Sequence, residues 1–237
     1  MRNILTIFRK EMLGYFNSAI AYIFFTLFLI LLSFLFFRVY FLQGIVSMND
    51  FFSVMPWVFL IFVPAVTMKS WAEERKSGTM EVLLTMPALD AQLVIGKFLA
   101  GAAFVGIAIL LTLIVPILVA VTGPLDWGTV VASYLGALLL AAAYVAIGNF
   151  VSSLTGNQIT AFLFTAVILF LLLIIGTEPV YSVFPNIIAE VVRNFSLNYH
   201  FQSIGRGVLD SRDLLFYFSI IGLFVYYNVK SLEARSW

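Results

Sequence analysis

The chain contains no cysteine and a single histidine, His200. It therefore offers no disulfide, no thiolate metal site and no cysteine nucleophile, and one imidazole cannot form a multi-histidine cluster. Charge is scarce as well. Only 11% of the 237 residues are Asp, Glu, Lys or Arg, less than half the share of about 25% in a soluble domain. The 13 basic and 12 acidic residues nearly cancel, leaving a net charge of +1. A soluble enzyme, a nucleic-acid binder with a basic face and a disordered regulator all need more charge than this. The stretch from 127 to 177 has none at all.

What fills the sequence instead is apolar: 62% of the residues are hydrophobic. As helix, the charge-free stretch would be about 76 Å long, enough to cross a bilayer core of about 30 Å twice with a turn between. The apolar runs are continuous rather than alternating, which selects helices over a membrane barrel. The composition thus predicts an all-α integral membrane protein. Six transmembrane helices are expected, near Ser18–Phe37, Phe51–Met68, Phe98–Val121, Val130–Phe150, Ile159–Ile175 and Leu214–Val229. The first is expected to be retained, because its apolar run is too long for a signal peptide and no small-residue cleavage site follows. With the N-terminus inside, nine Lys and Arg fall in cytosolic segments, and four (Arg38, Arg193, Arg206 and Arg212) fall outside. That asymmetry predicts cytosolic termini.

Three segments lie outside the spans. In residues 1–17, Ile4, Ile7, Phe8 and Met12 recur near helical spacing beside Arg9, Lys10 and Glu11, a pattern suited to an interfacial helix. Residues 69–97 form the main cytosolic loop. Residues 177–213 form an outer loop too apolar to be solvated coil; two short helices there, one capped by Asn186, would satisfy the backbone against or within the membrane. Small residues four apart, Ala132–Gly136 and Ala142–Ala146, mark the fourth span for close packing.

No span carries a charge in its middle, which disfavours an ion-coupled carrier. Asn149 is the strongest polar residue within a span, and helix-to-helix hydrogen bonding accounts for it. There is no phosphate-binding G-x-x-x-x-G-K-[ST], H-E-x-x-H or G-x-S-x-G. The informative segment runs from Lys69 to Pro87. The second span is expected to continue through Trp71 to Lys76, break at Ser77-Gly78, and give way to a short helix from about Thr79 to Met86 that stops before Pro87. Asp90 would cap the next helix. Met80, Leu83 and Leu84 share one face of the short helix, which can pack on the chain's own span ends or seat in a groove of a soluble partner.

Three blocks resemble ATP-binding-cassette permeases of the type-2 exporter kind, especially gliding-motility and nitrous-oxide-reductase maturation permeases. They are Arg9-Lys10-Glu11-Met12-Leu13-Gly14-Tyr15-Phe16-Asn17-Ser18, then Ala72 to Pro87 followed by Gly96-Lys97-Phe98, then His200-Phe201 through Arg206 to Asp213 with the terminal Leu232 to Trp237. Ala19 stands where the family usually has proline. The resemblance implies a single transmembrane permease domain over residues 1–237, with the interfacial helix, a coupling helix between spans two and three, and short re-entrant helices before span six. It further implies a prokaryotic inner-membrane exporter subunit without a nucleotide site of its own. Its partners would be a second permease subunit, identical or paralogous, and a separate ABC ATPase carrying ATP-Mg, with no nucleic acid. At the ATPase contact it places Glu73, Glu74, Arg75, Lys76, Thr79, Met80, Glu81, Leu83 and Leu84. A vestibule outside would involve Glu190, Arg193, His200 and Arg206. A mechanical or scaffolding subunit that transmits ATPase motion without passing substrate is the alternative.

Overall fold

The computed structural model describes residues 2–80, 89–183 and 185–234. Among them there are helices and connections and no strand. In chain order the helices are α1 (Arg2–Phe16), α2 (Ala19–Gln43), α3 (Asn49–Thr67), α4 (Lys69–Lys76), α5 (Asp90–Leu111), α6 (Ile114–Thr122), α7 (Trp127–Leu154), α8 (Gln158–Ile174), α9 (Glu178–Tyr181), α10 (Asn186–Asn194), α11 (Leu197–Ile204) and α12 (Ser211–Glu233). Among the described residues, five uninterrupted or nearly uninterrupted runs are long and apolar enough to cross a membrane: 21–42, 49–76, 90–122, 127–154 and 211–233. The apolar α8 is shorter, at 17 residues.

The third of these runs is broken at Thr112–Leu113, between α5 and α6. Pro116 accounts for the break: its ring removes an N–H and collides with the carbonyl four residues back, that of Thr112. The Thr112 hydroxyl, donating to the Ile109 carbonyl at 2.6 Å, satisfies an acceptor at the bend. At its other end α5 starts one residue earlier than a capping Asp90 would require. Leu89 holds the cap position, Asp90 lies in the first turn, and the Gln92 Oε1 accepts from the Leu89 N–H at 3.4 Å. Likewise α10 begins at Asn186 with Pro185 flanking it.

Helix α7 is the centre of the bundle, with 72% of its apolar window buried, and it touches α3, α4, α5, α8, α11 and α12. Its small residues make this possible. Ala132 and Gly136 are buried, and a Cβ on Gly136 would sit 3.1 Å from the Ile204 side chain of α11. At Gly148 a Cβ would lie 2.2 Å from the Thr67 hydroxyl of α3, so only glycine admits that approach. Asp126 caps α7, accepting from the Gly128 N–H at 3.0 Å and the Thr129 N–H at 3.4 Å; the Thr129 side-chain hydrogen bond leads in holding its carboxyl below the usual range. An aromatic core knits α2, α3 and α5. Phe24 and Phe62 meet edge to face at 5.0 Å, and Phe25 stacks on Phe104 at 4.8 Å.

The stripe predicted on α1 exists and extends further than expected, through Ile4, Ile7, Phe8, Glu11, Met12, Tyr15 and Phe16, all partly buried. It packs chiefly on α5, so protein covers much of the face that the spacing assigns to the membrane interface. Ile7 lies against Gly96, where a Cβ would come within 2.7 Å of it. The Asn3 amide donates to the Gln92 Oε1 at 3.0 Å.

Candidate functional site

Where α1, α4 and α5 converge, a buried ion cluster holds them together. Lys97 of α5 is 4% exposed. Its ammonium has three donors, and all three find oxygen: Glu11 Oε1 of α1 at 3.0 Å, Glu74 Oε1 of α4 at 2.9 Å and the Ser70 carbonyl at 2.8 Å. The Nζ also lies 4.8 Å from the centre of the Trp71 ring, an attraction that strengthens when desolvated. Lys10 stands outside, 3.8 Å from Glu74 and 3.9 Å from Glu11, so two ammoniums face two carboxylates. A buried charge without partners would cost several kcal/mol; here each is matched, and the three helices are fixed to one atom.

A second feature sits one turn away. The run from α3 into α4 is interrupted at Met68, and the reason comes from α7. The Ser152 hydroxyl accepts from the Trp71 N–H at 3.1 Å and the Ala72 N–H at 3.2 Å, and donates to the Met68 carbonyl at 3.1 Å. The Ala72 donor and Met68 acceptor are the pair that would continue an unbroken ladder, and the serine engages both, while Met68 itself keeps helical dihedrals (φ −56°, ψ −30°). Arg75 adds a tether, donating to the Ser153 carbonyl at 2.6 Å. Ser153 in turn meets Ser231 of α12 at 3.0 Å. Helix α4 therefore follows α3 through Met68, is latched to α1 and α5 by Lys97, and is tied to α7 by serines and Arg75.

The expected break after Lys76 is present. Gly78 has a φ of +72°, a conformation that glycine adopts without strain. The Ser77 hydroxyl closes the turn on the carbonyls of Glu73 and Glu74 at 2.9 and 3.2 Å and meets the Thr79 hydroxyl at 2.8 Å. The residues assigned to a partner contact are placed unequally. Lys76 and Thr79 are exposed at the turn, whereas Glu73 is exposed on the side of α4 that lines a cavity. Glu74 and Arg75 are engaged inside the chain by Lys97 and Ser153. Met80 is 7% exposed and packs with Trp71, Leu93, Val94 and Leu232, so its apolar surface is used by the protein's own span ends. Glu81, Leu83 and Leu84 lie outside the described residues.

At the opposite end of the bundle, the four polar residues of the outer loop do not converge. His200 is 8% exposed. Its Nδ1 pairs with Asp213 Oδ1 at 2.7 Å, its Nε2 meets the Asn194 carbonyl at 2.9 Å, and the ring stacks on Phe216 at 3.9 Å. This arrangement clamps α11 to α12, with Tyr217 donating to the Leu197 carbonyl at 2.8 Å as a second tie. Arg193 lies over the Tyr199 ring at 4.7 Å and makes no ion pair with Glu190 among the described residues. Glu190 is exposed, and Arg206, also exposed, reaches only its neighbour Ser203. Asn149 is buried, but its amide nitrogen lacks a partner among the described residues, so helix-to-helix bonding by that group is not seen.

The Lys97 cluster was not apparent from charge counting, which treats Lys97 as one more cytosolic cation. A signal was present in α1. Glu11 follows Ile7 by four residues and precedes Tyr15 by four, so a carboxylate occupies the apolar stripe and requires a buried cation opposite. Ser152 could be found only from the packing.

No curated protein matches the sequence. A family model described as ABC-2 family transporter protein matches residues 49–205, a stretch from the start of α3 through α11 that covers more than half the chain. The bundle of apolar helices and this match lead to one conclusion: the chain belongs to the ABC-2 transporter family and is a multi-pass membrane permease subunit of an ABC system.

Proposed function

We propose that this permease is driven from its 69–97 segment by a separate ABC ATPase, and that the Lys97 cluster converts motion of that segment into motion of three helices together. Six spans carry the chain across the membrane: the five long apolar runs and α8, whose 17 residues reach about 26 Å and need only slight thinning or polar flanks to cross. Both termini lie on the cytosolic side of a prokaryotic inner membrane, and α9 to α11 turn back at the outer side. Two permease subunits pair, and ATP-Mg is held by the ATPase. The Ser77–Thr79 turn with exposed Lys76, followed by Glu81, Leu83 and Leu84, is the docking element. The observation that carries this reading is the attachment of α4 and α5, on either side of the turn, to the same buried ammonium. A push on the turn is then shared by α3, α5 and α1.

Export is favoured over a purely mechanical subunit by the interruption at Met68, braced by Ser152. Alternating access needs a point between a span and its driver at which a helix can bend, and such an interruption supplies one. The test is co-purification of the ATPase encoded for this transporter with the wild-type permease and with a Lys76→Glu, Leu84→Asp double variant. Wild type is expected to retain the ATPase and the variant to lose it while inserting normally. Equal retention by both would remove the docking assignment.

A further inference from the structure

Beside the Lys97 cluster lies a cavity of about 620 Å³ between α1, the start of α2, the α3–α4 junction and α5. Its size is that of a small-molecule site. One end is apolar, walled by Ala21, Phe24, Val66 and Phe104; the other is charged. The charged end carries three lysines (10, 69 and 97) and three glutamates (11, 73 and 74), so the lining is neutral overall. Four of the six satisfy one another in the Lys97 cluster. The remaining two, Lys69 and Glu73, make no ion pair among the described residues. They are four residues apart on α4, and so lie one turn apart on the same face.

We propose that this cavity binds a zwitterionic aminophospholipid of the surrounding bilayer, with its phosphate at Lys69 and Lys10, its primary ammonium at Glu73, and the first part of an acyl chain along the touching rings of Phe24 and Phe104. The chemistry of the lining selects this occupant. A cation and an anion separated by one helical turn complement a phosphate and an ammonium joined by a two-carbon linker. A neutral lining gives no preference for an anionic headgroup, which a purely basic pocket would attract. The apolar end requires a chain, so soluble phosphoethanolamine shares the headgroup chemistry without filling the site. The bound lipid wedges α1 against α4, which places the bilayer in contact with the helix that leads to the docking turn.

The test uses the full permease chain alone in detergent, so its outcome is independent of any ATPase coupling. Native mass spectrometry would compare retention of dioleoyl phosphatidylethanolamine, phosphatidylcholine and phosphatidylglycerol, with soluble phosphoethanolamine as competitor. The ethanolamine lipid should be retained best, because the choline headgroup has no N–H to donate to Glu73. Loss of one charge-assisted contact in Glu73→Gln should weaken ethanolamine-lipid retention about tenfold and abolish its advantage over the choline lipid. Gly14 also lines the cavity, and a Cβ there meets nothing within 4 Å; Gly14→Trp should therefore fill the space and eliminate retention of every phospholipid. Equal retention of the three lipids by wild type, unchanged retention in Gly14→Trp, or displacement by soluble phosphoethanolamine would each overturn the proposal. If Gly14→Trp fails to insert, Glu73→Gln alone decides, and unchanged headgroup preference in it would be equally fatal.

Discussion

Lys97 concentrates the energetics of the joint in one side chain. Its ammonium is 3% exposed at the side chain, while Glu11 and Glu74 are 19% and 16% exposed. Removing the cation alone leaves two carboxylates facing each other in a poorly hydrated site. Lys97→Met should therefore lower stability by about 3 kcal/mol, the lower end of what breaking a buried pair costs. Removing the whole set should restore most of that loss, since apolar replacements of matching volume are often neutral. The expected order in thermal unfolding is wild type close to the triple variant Glu11→Leu, Glu74→Leu, Lys97→Met, with Lys97→Met well below both. A triple variant less stable than the single one would show that the cluster contributes through something other than paired charge. Glu11 also shows how a residue can announce such a site: a carboxylate on an apolar stripe implies a cation on the neighbouring helix, and Lys97 is that cation.

At the scale of elements, the long apolar runs were legible because composition and length decide them. The first run is predicted to end at Phe37 and continues to Gln43, and the second is predicted to continue past Met68 and does so as α4. The bend at Thr112 follows from Pro116, which the sequence displays. The interruption at Met68 does not, because its cause is Ser152, more than eighty residues away in sequence. The close approach of α7 was readable in its small residues, but their partners, Thr67 and Ile204, were not. Ser152→Ala isolates that interruption. With the hydroxyl gone, the Ala72 N–H can pair with the Met68 carbonyl and close the ladder, so stability should fall by no more than about 1 kcal/mol. Amide hydrogen exchange at Trp71 and Ala72 should slow as α3 and α4 become one helix. Faster exchange there would mean that the serine secures the segment rather than interrupting its ladder.

Over the whole molecule, the absence of cysteine is an experimental advantage, because single cysteines can be introduced against no background. In the proposed topology, Ile45→Cys and Val183→Cys face outward, and Ser77→Cys and Thr155→Cys face the cytosol. A membrane-impermeant maleimide applied to intact cells should label the first two only. Labelling of both Thr155→Cys and Val183→Cys, or of neither, would mean that α8 does not cross as drawn. In the proposed function the Lys97 cluster is the link between a docked ATPase and the helices. The direct measurement is ATP hydrolysis by the purified complex, with and without an exportable ligand, in wild type, Lys97→Met and the triple apolar variant. Wild type should respond to ligand, while Lys97→Met and the stable triple variant, both without the cluster, should keep the ATPase bound yet lose the response. A Lys97→Met complex that inserts, holds its ATPase and responds like wild type would show that the cluster is not the link.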